Sequence, residues 1–424
     1  MSLAVPALGA LAVEPLYVAV DTAIIGRVGT SELAGLAGAG TVLSLVIAGC
    51  NFLAYGTTEQ VARARGMGDA ARARLVATQA LWVAFALSAI AVPLLELLAR
   101  PLVAVLGVDG DAASHAVEYL RIALLGVPAV LIAIAAQGIL RGIGDYRRPL
   151  WILLLGNAIN VVLEVPMVLV WNMSLSGSAL STVISQYLVA VCFWPILRPH
   201  LASPGSRKPQ REVMQSLLAV GGNLALRVGA MLVVLTGATM LAARSGEVDL
   251  AAHQIVTGMF MLLALALDAL AVPAHTLIGQ LMGAADIALA RLIARRVVVL
   301  SAVTGSLLAV ALIAAAGPIA HIFSADEAVS DAAIGGLVVL GLVLAPGALA
   351  FAGDGVLIGA GDHRFLGRAA VVQALVLIPI VLVPGIAVGP GVTVVWLLLG
   401  CWMVLRAATV MFRMVAVLDA SHTG

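Results

Sequence analysis

The chain has 424 residues, of which 62% are apolar and 11% charged, with a net charge of +1 and a mean hydropathy of +1.12. A soluble domain carries roughly 25% charged residues, so this chain lacks the polar surface to cover itself in water, and its solvent must be lipid. The near-zero net charge excludes a polybasic face for nucleic acid.

At roughly 20 apolar residues per span, the length accommodates about twelve to fourteen membrane helices. Hydropathy predicts spans near 4–26, 33–57, 75–99, 117–140, 150–171 and 177–197. A polar stretch from Arg198 to Arg211 follows, and six more spans are expected near 213–243, 250–273, 292–316, 333–358, 367–388 and 391–415. The apolar runs are continuous and not alternating, which argues against a β-barrel. The fold class expected is therefore an all-α polytopic membrane protein of twelve transmembrane helices. It divides into an N-terminal six-helix lobe (1–197), a cytoplasmic linker (198–212) and a C-terminal six-helix lobe (213–424). The first span has no positive charge ahead of it and is expected to stay in the membrane as a helix. Cys50, Cys192 and Cys401 lie in apolar runs and are read as small packing residues, not as a disulfide or metal set.

The basic residues predict the orientation. One set of loops holds Arg63, Arg65, Arg72 and Arg74; Arg141, Arg147 and Arg148; Arg198, Arg207, Lys208 and Arg211; Arg291, Arg295 and Arg296; and Arg364 and Arg368. The opposite set holds only Arg27, Arg100, Arg121 and Arg244. The positive-inside rule then puts both termini and the linker in the cytoplasm.

The two halves align without a gap at an offset of 217 over much of their length. Gly138-x-Leu140-x-Gly142-x-Gly144-Asp145-x-Arg147 matches Gly355-x-Leu357-x-Gly359-x-Gly361-Asp362-x-Arg364, and Asp69, Arg74 and Pro101 match Asp286, Arg291 and Pro318. Beyond about residue 150 the sequences diverge and the register is open. Six spans per repeat is an even number, so both halves enter from the same side, with a pseudo-two-fold axis along the membrane normal, as in parallel-repeat transporters. The Gly-x-x-x-Gly pairs read first as close helix packing and second as hinges.

Polar residues present in one half only are not demanded by the shared scaffold. Asp21 aligns with Ala238, Asn160 with Leu377 and Glu164 with Val381. Asn157, Asn160 and Glu164 share one stripe of the fifth span, and Glu14 and Asp21 one stripe of the first. A charged acid in mid-membrane costs roughly 2.5–3.5 kcal/mol even on the lenient insertion scale. The N-terminal half has no Lys or Arg inside a span to offset it, so these acids are protonated, hydrated or holding a cation. The alternative for each is a protonated acid bonded to a neighbouring backbone. In the C-terminal half, Arg227, Asp268 and Asp354 are intramembrane and read as a buried ion-pair network that either orients the lobe or contacts substrate. His253, Gln254 and His275 sit toward span ends and read as packing residues.

The chain's one lysine, Lys208, is followed by Pro209, so there is no phosphate-loop motif and no nucleotide domain to power it. No His-Glu-x-x-His zinc motif occurs. No cofactor, metal or catalytic residue is expected; the driving force is expected to be an ion gradient or a partner chain, and the chain is not expected to be an enzyme.

These residues resemble the multidrug and toxic compound extrusion (MATE) transporters, in particular the DinF-like branch. The resemblance is carried by Glu14-Pro15-Leu16-Tyr17, Val20-Asp21-Thr22-Ala23, Gly156-Asn157-x-x-Asn160-Val161-x-Leu163-Glu164, Ala251-Ala252-His253-Gln254-Ile255, Leu267-Asp268-Ala269 and Asp354-Gly355-x-Leu357-Ile358-Gly359. It implies a V-shaped pair of six-helix lobes that exports amphipathic, often cationic compounds in exchange for protons or sodium. It further implies a cation-coupling site at Asp21, Asn160, Glu164 and Thr182, a multi-pass monomer surrounded by membrane lipid, and a bacterial inner membrane as its location. Position 164 is Glu where the family pattern has Asp. The extra methylene moves the carboxylate by about 1.5 Å, which favours H⁺ as coupling ion over a tight Na⁺ cage, with Na⁺ the alternative. The rival function is flipping of a lipid-linked precursor. That task calls for several basic residues in the cavity, and only Arg227 and Arg406 lie deep in spans.

Overall fold

A computed structural model describes the backbone of residues 4–202, 207–382 and 391–420, and the side chains of these except at 4, 5, 10, 11, 13–17, 378, 380–382 and 420. The chain forms two compact units, Met1–Gly221 and Gly222–Gly424. The first contains α1 (Ala4–Ile25), α2 (Thr30–Cys50), α3 (Phe52–Gly66), α4 (Ala70–Val105), α5 (Gly110–Leu124), α6 (Val127–Gly142), α7 (Arg147–Val165) and α8 (Ser174–Leu197). The second contains most of α9 (Arg211–Ser245), then α10 (Glu247–Gly283), α11 (Ile287–Phe323), α12 (Glu327–Ala360), α13 (His363–Leu382) and α14 (Gly391–Ala420). Among the described residues nine stretches are long and apolar enough to cross a membrane, α2 with α3 counting as one, and α5 with α6 makes a tenth, bent by 53°. With α1 and α13, which fall on the first and eleventh expected spans, they account for the twelve spans of an all-α polytopic membrane protein.

The helices outrun the apolar windows that predicted them. Span three, expected over 75–99, is a helix over Ala70–Val105, and span two, expected to stop near 57, continues as α3 to Gly66. Hydropathy sees only the part in lipid, whereas a helix with capped ends continues into the polar region. Asp69 accepts from Arg72 N at 2.8 Å at the head of α4, and Asp286 accepts from Leu289 N at 3.0 Å at the head of α11, each satisfying an otherwise orphaned backbone donor.

Those two caps are 217 residues apart, and the same offset recurs throughout. Thr30, Ala70 and Gly110 open helices in the first unit, and Glu247, Ile287 and Glu327 open helices in the second. Gly144 and Gly361 both adopt positive φ, 88° and 84°, and both are followed by an Asp whose N–H returns to the carbonyl five residues back, Asp145 to Leu140 and Asp362 to Leu357. Past residue 150 the offset persists: Ser174 and Gly391 both begin helices in positive φ.

The Gly-x-x-x-Gly pairs are contact points in both units. A Cβ on Gly138 would lie 2.7 Å from Ala54 O, and one on Gly355 2.5 Å from the equivalent Ala271 O. These glycines let α6 meet α3, and α12 meet α10, backbone against backbone. We expect Gly355→Ala to lower the detergent-solubilised protein's unfolding midpoint by an amount equivalent to about 1–3 kcal/mol of overpacking. Gly49→Ala, whose Cβ meets nothing within 4 Å, leaves the midpoint unchanged in the same thermal assay.

The polar stretch expected as a linker falls within the first unit, and its described residues are tied to α4. Gln79 donates to Lys208 O at 2.9 Å and accepts from Gln210 N at 2.8 Å. Trp82 Nε1 donates to Arg207 O at 2.7 Å, and Thr78 Oγ1 accepts from Ala202 N at 2.9 Å. The opening turns of α9 also belong to the first unit, where Gln60 Nε2 donates to Ser216 Oγ at 3.3 Å.

Candidate functional site

The first unit gathers a polar cluster inside its apolar core. α7 is followed without a break by a π-helical turn, Pro166–Val170, in which Trp171 N bonds to Pro166 O at 2.9 Å. Proline lacks the N–H that would continue the α ladder, so the turn widens there. Asn172 and Ser174 then take positive φ and reverse the chain, so that α8 packs back along α7. Asn160 and Glu164, one turn apart on α7, thereby face Ser178, Ser181 and Thr182 on α8. Asn160 Nδ2 donates to Thr182 Oγ1 at 3.1 Å and lies 3.4 Å from Ser181 Oγ.

α1 brings Asp21 to the same place. Asp21 is buried, and its Oδ1 accepts from Ser178 Oγ at 2.7 Å. Glu164 has no solvent exposure, and its carboxyl faces the Asp21 carboxyl and the Ser178 hydroxyl. The single Ser178 proton is already given to Asp21, and neither oxygen of Glu164 accepts a hydrogen bond from any described group. Asn160 Oδ1 is likewise unpartnered. Tyr119 of α5 closes the cluster, buried and facing Asp21, Ser178, Glu164 and Thr182. Among the described residues no Lys or Arg bonds to either acid.

A carboxyl that faces another carboxyl and receives no donor is an incomplete arrangement. Two such groups do not both ionise cheaply, and a buried oxygen without a donor costs free energy. One proton between them would supply the missing hydrogen bond. A hard cation among the oxygens of Asp21, Asn160, Glu164 and Thr182 would satisfy the same atoms.

The repeat isolates this cluster. At the 217-residue offset, Asp21, Tyr119, Asn160, Glu164, Ser178 and Thr182 oppose Ala238, Gly336, Leu377, Val381, Val395 and Leu399. Every member is replaced by a residue without a hydrogen-bonding side chain, so the shared scaffold does not require it. Of these residues, Ser178 and Tyr119 are additions from the structure. Ser178 is one turn before Thr182 on α8, a spacing that flags it once Thr182 is a candidate. Asn157 is half-buried on α7, and Glu14 lies outside the described side chains.

The second unit holds a different cluster. Asp354, toward the C-terminal end of α12, is bound by Arg227 of α9 and by Arg406 of α14. Arg406 is almost fully enclosed, and its guanidinium lies over Phe351 at 5.2 Å and Trp402 at 5.9 Å. Asp268 of α10, half-buried, faces both arginines. Two cations and two acids make the group electrically neutral. Arg227 is thus one of two cations serving Asp354, and Arg406 joins the Arg227, Asp268 and Asp354 network expected from the sequence. His253 Nε2 lies 3.1 Å from Thr239 Oγ1 and 3.3 Å from Thr257 Oγ1, and its ring packs 5.8 Å from Trp396.

Comparison with known proteins follows the same two-part division. The MatE family model matches residues 6–166 and 225–383. Over 395 residues the chain is 30% identical to Protein DETOXIFICATION 44, chloroplastic, of Arabidopsis thaliana, covering 89% of this chain and 74% of that one. It is 30% identical over 296 residues to DNA damage-inducible protein F of Escherichia coli, covering 67% and 55% respectively. A crystal structure of a MATE protein in the bent conformation matches 100% of this chain and 96% of its own with a TM-score of 0.92 at 21% identity.

Proposed function

Because the chain belongs to the MatE family, and so to the multidrug and toxic compound extrusion transporters, we propose that it exports amphipathic, cationic organic compounds in exchange for protons through the Asp21–Glu164 pair. The observation that carries this reading is the Glu164 carboxyl, fully buried against Asp21 with neither oxygen accepting a hydrogen bond from a described group. Asp21, with its donor from Ser178, is the member suited to carry charge. Glu164, with none, is the member suited to hold the proton. Asn160, Thr182 and Tyr119 orient the pair and keep its surroundings dry enough for the charge state to matter.

The exchange follows from that geometry. With one proton on the pair a single negative charge remains, and the unit favours a cationic substrate. A second proton, arriving from the acidic side, neutralises the pair and removes that attraction, so the substrate leaves. Sodium coupling at Asp21, Asn160, Glu164 and Thr182 is the alternative. The charge of both deep arginines is compensated at Asp354 and Asp268, which disfavours the flippase reading, where free basic groups would have to meet a pyrophosphate. The excess of basic residues on one set of loops supports cytoplasmic termini, and the likeness to a bacterial relative supports an inner-membrane location.

The test is substrate binding to purified protein across pH 5.5–8.5, with and without sodium. Acidification adds the second proton, so affinity is expected to fall as pH drops and to be indifferent to sodium. Affinity flat in pH but weakened by sodium would overturn proton coupling in favour of a sodium site.

A further inference from the structure

A cavity of about 440 Å³ opens at the loop end of the first unit, away from the acid pair. Arg65 of α3, Arg74 of α4 and His200, in the short turn after α8, line it together with Val61, Ile139 and Pro199. No acidic side chain is part of the wall. Of the carboxylates near the rim, Asp145 is paired with Arg148 at 3.4 Å, and Asp69, between the lining residues Gly68 and Ala70, accepts from Arg72 N at 2.8 Å as a helix cap; the His200 ring faces Arg65 and Arg148 as well as Asp145. Among the described residues neither Arg65 nor Arg74 makes an ion pair; Arg74 spends one donor on Ala70 O at 3.2 Å.

The second unit shows what the scaffold does with the same position when it is not kept open. At the 217-residue offset, Arg65 becomes Met282 and His200 becomes Val417. Arg74 becomes Arg291, which donates to Leu418 O at 2.8 Å and pairs with Asp419 at 3.3 Å. There the end of α14 satisfies the arginine, whereas in the first unit the equivalent charge faces a cavity with two further basic groups. The basic cavity is therefore specific to one repeat, like the acid pair, and the fold does not require it.

Depth narrows the occupant. α4 has 36 residues, about 54 Å at 1.5 Å per residue, against a hydrocarbon core of about 30 Å. Arg74 is in its second turn, so the cavity sits at the level of the lipid headgroups. Two guanidiniums in one wall match the oxygens of a phosphate, which accepts paired N–H donors. We infer that this cavity binds a phosphate group, held by Arg65 and Arg74 with His200 beside them. The apolar wall of Val61, Ile139 and Pro199 suits a phosphodiester with a carbon skeleton, as a lipid headgroup presents; inorganic phosphate offers the same oxygens.

The experiment uses the full chain in phosphatidylcholine nanodiscs, with native mass spectrometry and the thermal midpoint as readouts. Phosphatidylglycerol is titrated into the bilayer in one arm and inorganic phosphate into the buffer in the other. Saturable phosphatidylglycerol binding is expected, weakened about ten- to thirty-fold in the Arg65→Gln/Arg74→Gln double variant, since each basic group near the surface contributes about 1 kcal/mol. Both arginines are exposed, so the double variant keeps its fold. Ala73→Phe, which fills the cavity and leaves every charge in place, is expected to weaken binding similarly. Saturable binding of phosphate alone, lost in the same variants, would support the site and assign it a soluble anion. The inference is overturned if neither probe saturates, if binding survives the double variant, or if a folded Ala73→Phe protein binds like the parent and diffuse surface charge is the cause.

Discussion

Asp21→Asn protein is expected to insert and fold normally while gradient-driven efflux falls to background. The replacement is isosteric, and its Oδ1 can still accept from Ser178, whose hydroxyl lies 2.7 Å from Asp21 Oδ1. Its new amide, however, can donate to the Glu164 carboxyl that it faces. The substitution also removes the group that carries the charge, so that with Glu164 holding its proton the pair is fixed in the neutral state that the parent reaches only on its second proton. The variant should behave at every pH as the parent does at low pH, with weak substrate binding and no pH dependence. Dye efflux from vesicles under an imposed pH gradient, paired with binding at pH 5.5 and 8.5, reads both effects. Full efflux by this variant would move the coupling site elsewhere, with Glu164 next in line.

Loss of Asp354 should be the most damaging single change in the second unit. Asp354→Ala would take from two guanidiniums, on Arg227 and Arg406, the carboxylate that both of them bind, leaving the half-buried Asp268 to face the pair. Removing one side of a buried ion pair costs roughly 3–5 kcal/mol, comparable to the whole stability of a modest domain. Poor accumulation in the membrane and aggregation on detergent extraction are the expected outcomes, followed by fluorescence-detected size exclusion. Adding Arg406→Leu to Asp354→Ala should recover part of the yield, because it removes one of the stranded charges. A monodisperse Asp354→Ala protein with parental efflux would overturn this account of the network.

Different kinds of information in the sequence account for what was legible. The twelve spans were visible because lipid exposure demands long apolar runs. The repeat was visible because turns and caps need particular residues at fixed places: Asp69 and Asp286, Gly144 and Gly361. Helix ends were less visible, since α3 and α4 continue on capping and polar packing after the apolar signal has stopped. Within the acid cluster, Asp21, Asn160 and Glu164 stand out because an amide or acid in lipid needs a reason. Ser178 does not, because hydroxyls in spans routinely bond to the carbonyl one turn back, as Thr41 does to Ala37 O and Ser88 to Ala84 O. Tyr119 sits at the start of its apolar window and reads as an interfacial residue until α5 is seen to tuck it against Asp21. Arg406 shows a further limit. Sequence says that a buried base needs an acid but not at what depth two helices cross, and that depth decides that Asp354 serves both arginines.

The facing carboxyls also bear on the energetics of export. A pair that changes by one proton per cycle, exchanged for one monovalent drug cation, moves no net charge across the bilayer. Membrane voltage then does no work on the cycle, and the pH difference alone fixes how steep a drug gradient can be held, about tenfold for each pH unit. A neutral drug handled by the same pair would be exported with net movement of one charge, and voltage would add about 2.3 kcal/mol per 100 mV. One binding unit would thus give two classes of compound different thermodynamic ceilings. Collapsing the voltage with a potassium ionophore while preserving the pH difference would slow the export of neutral compounds and leave that of monovalent cations unchanged.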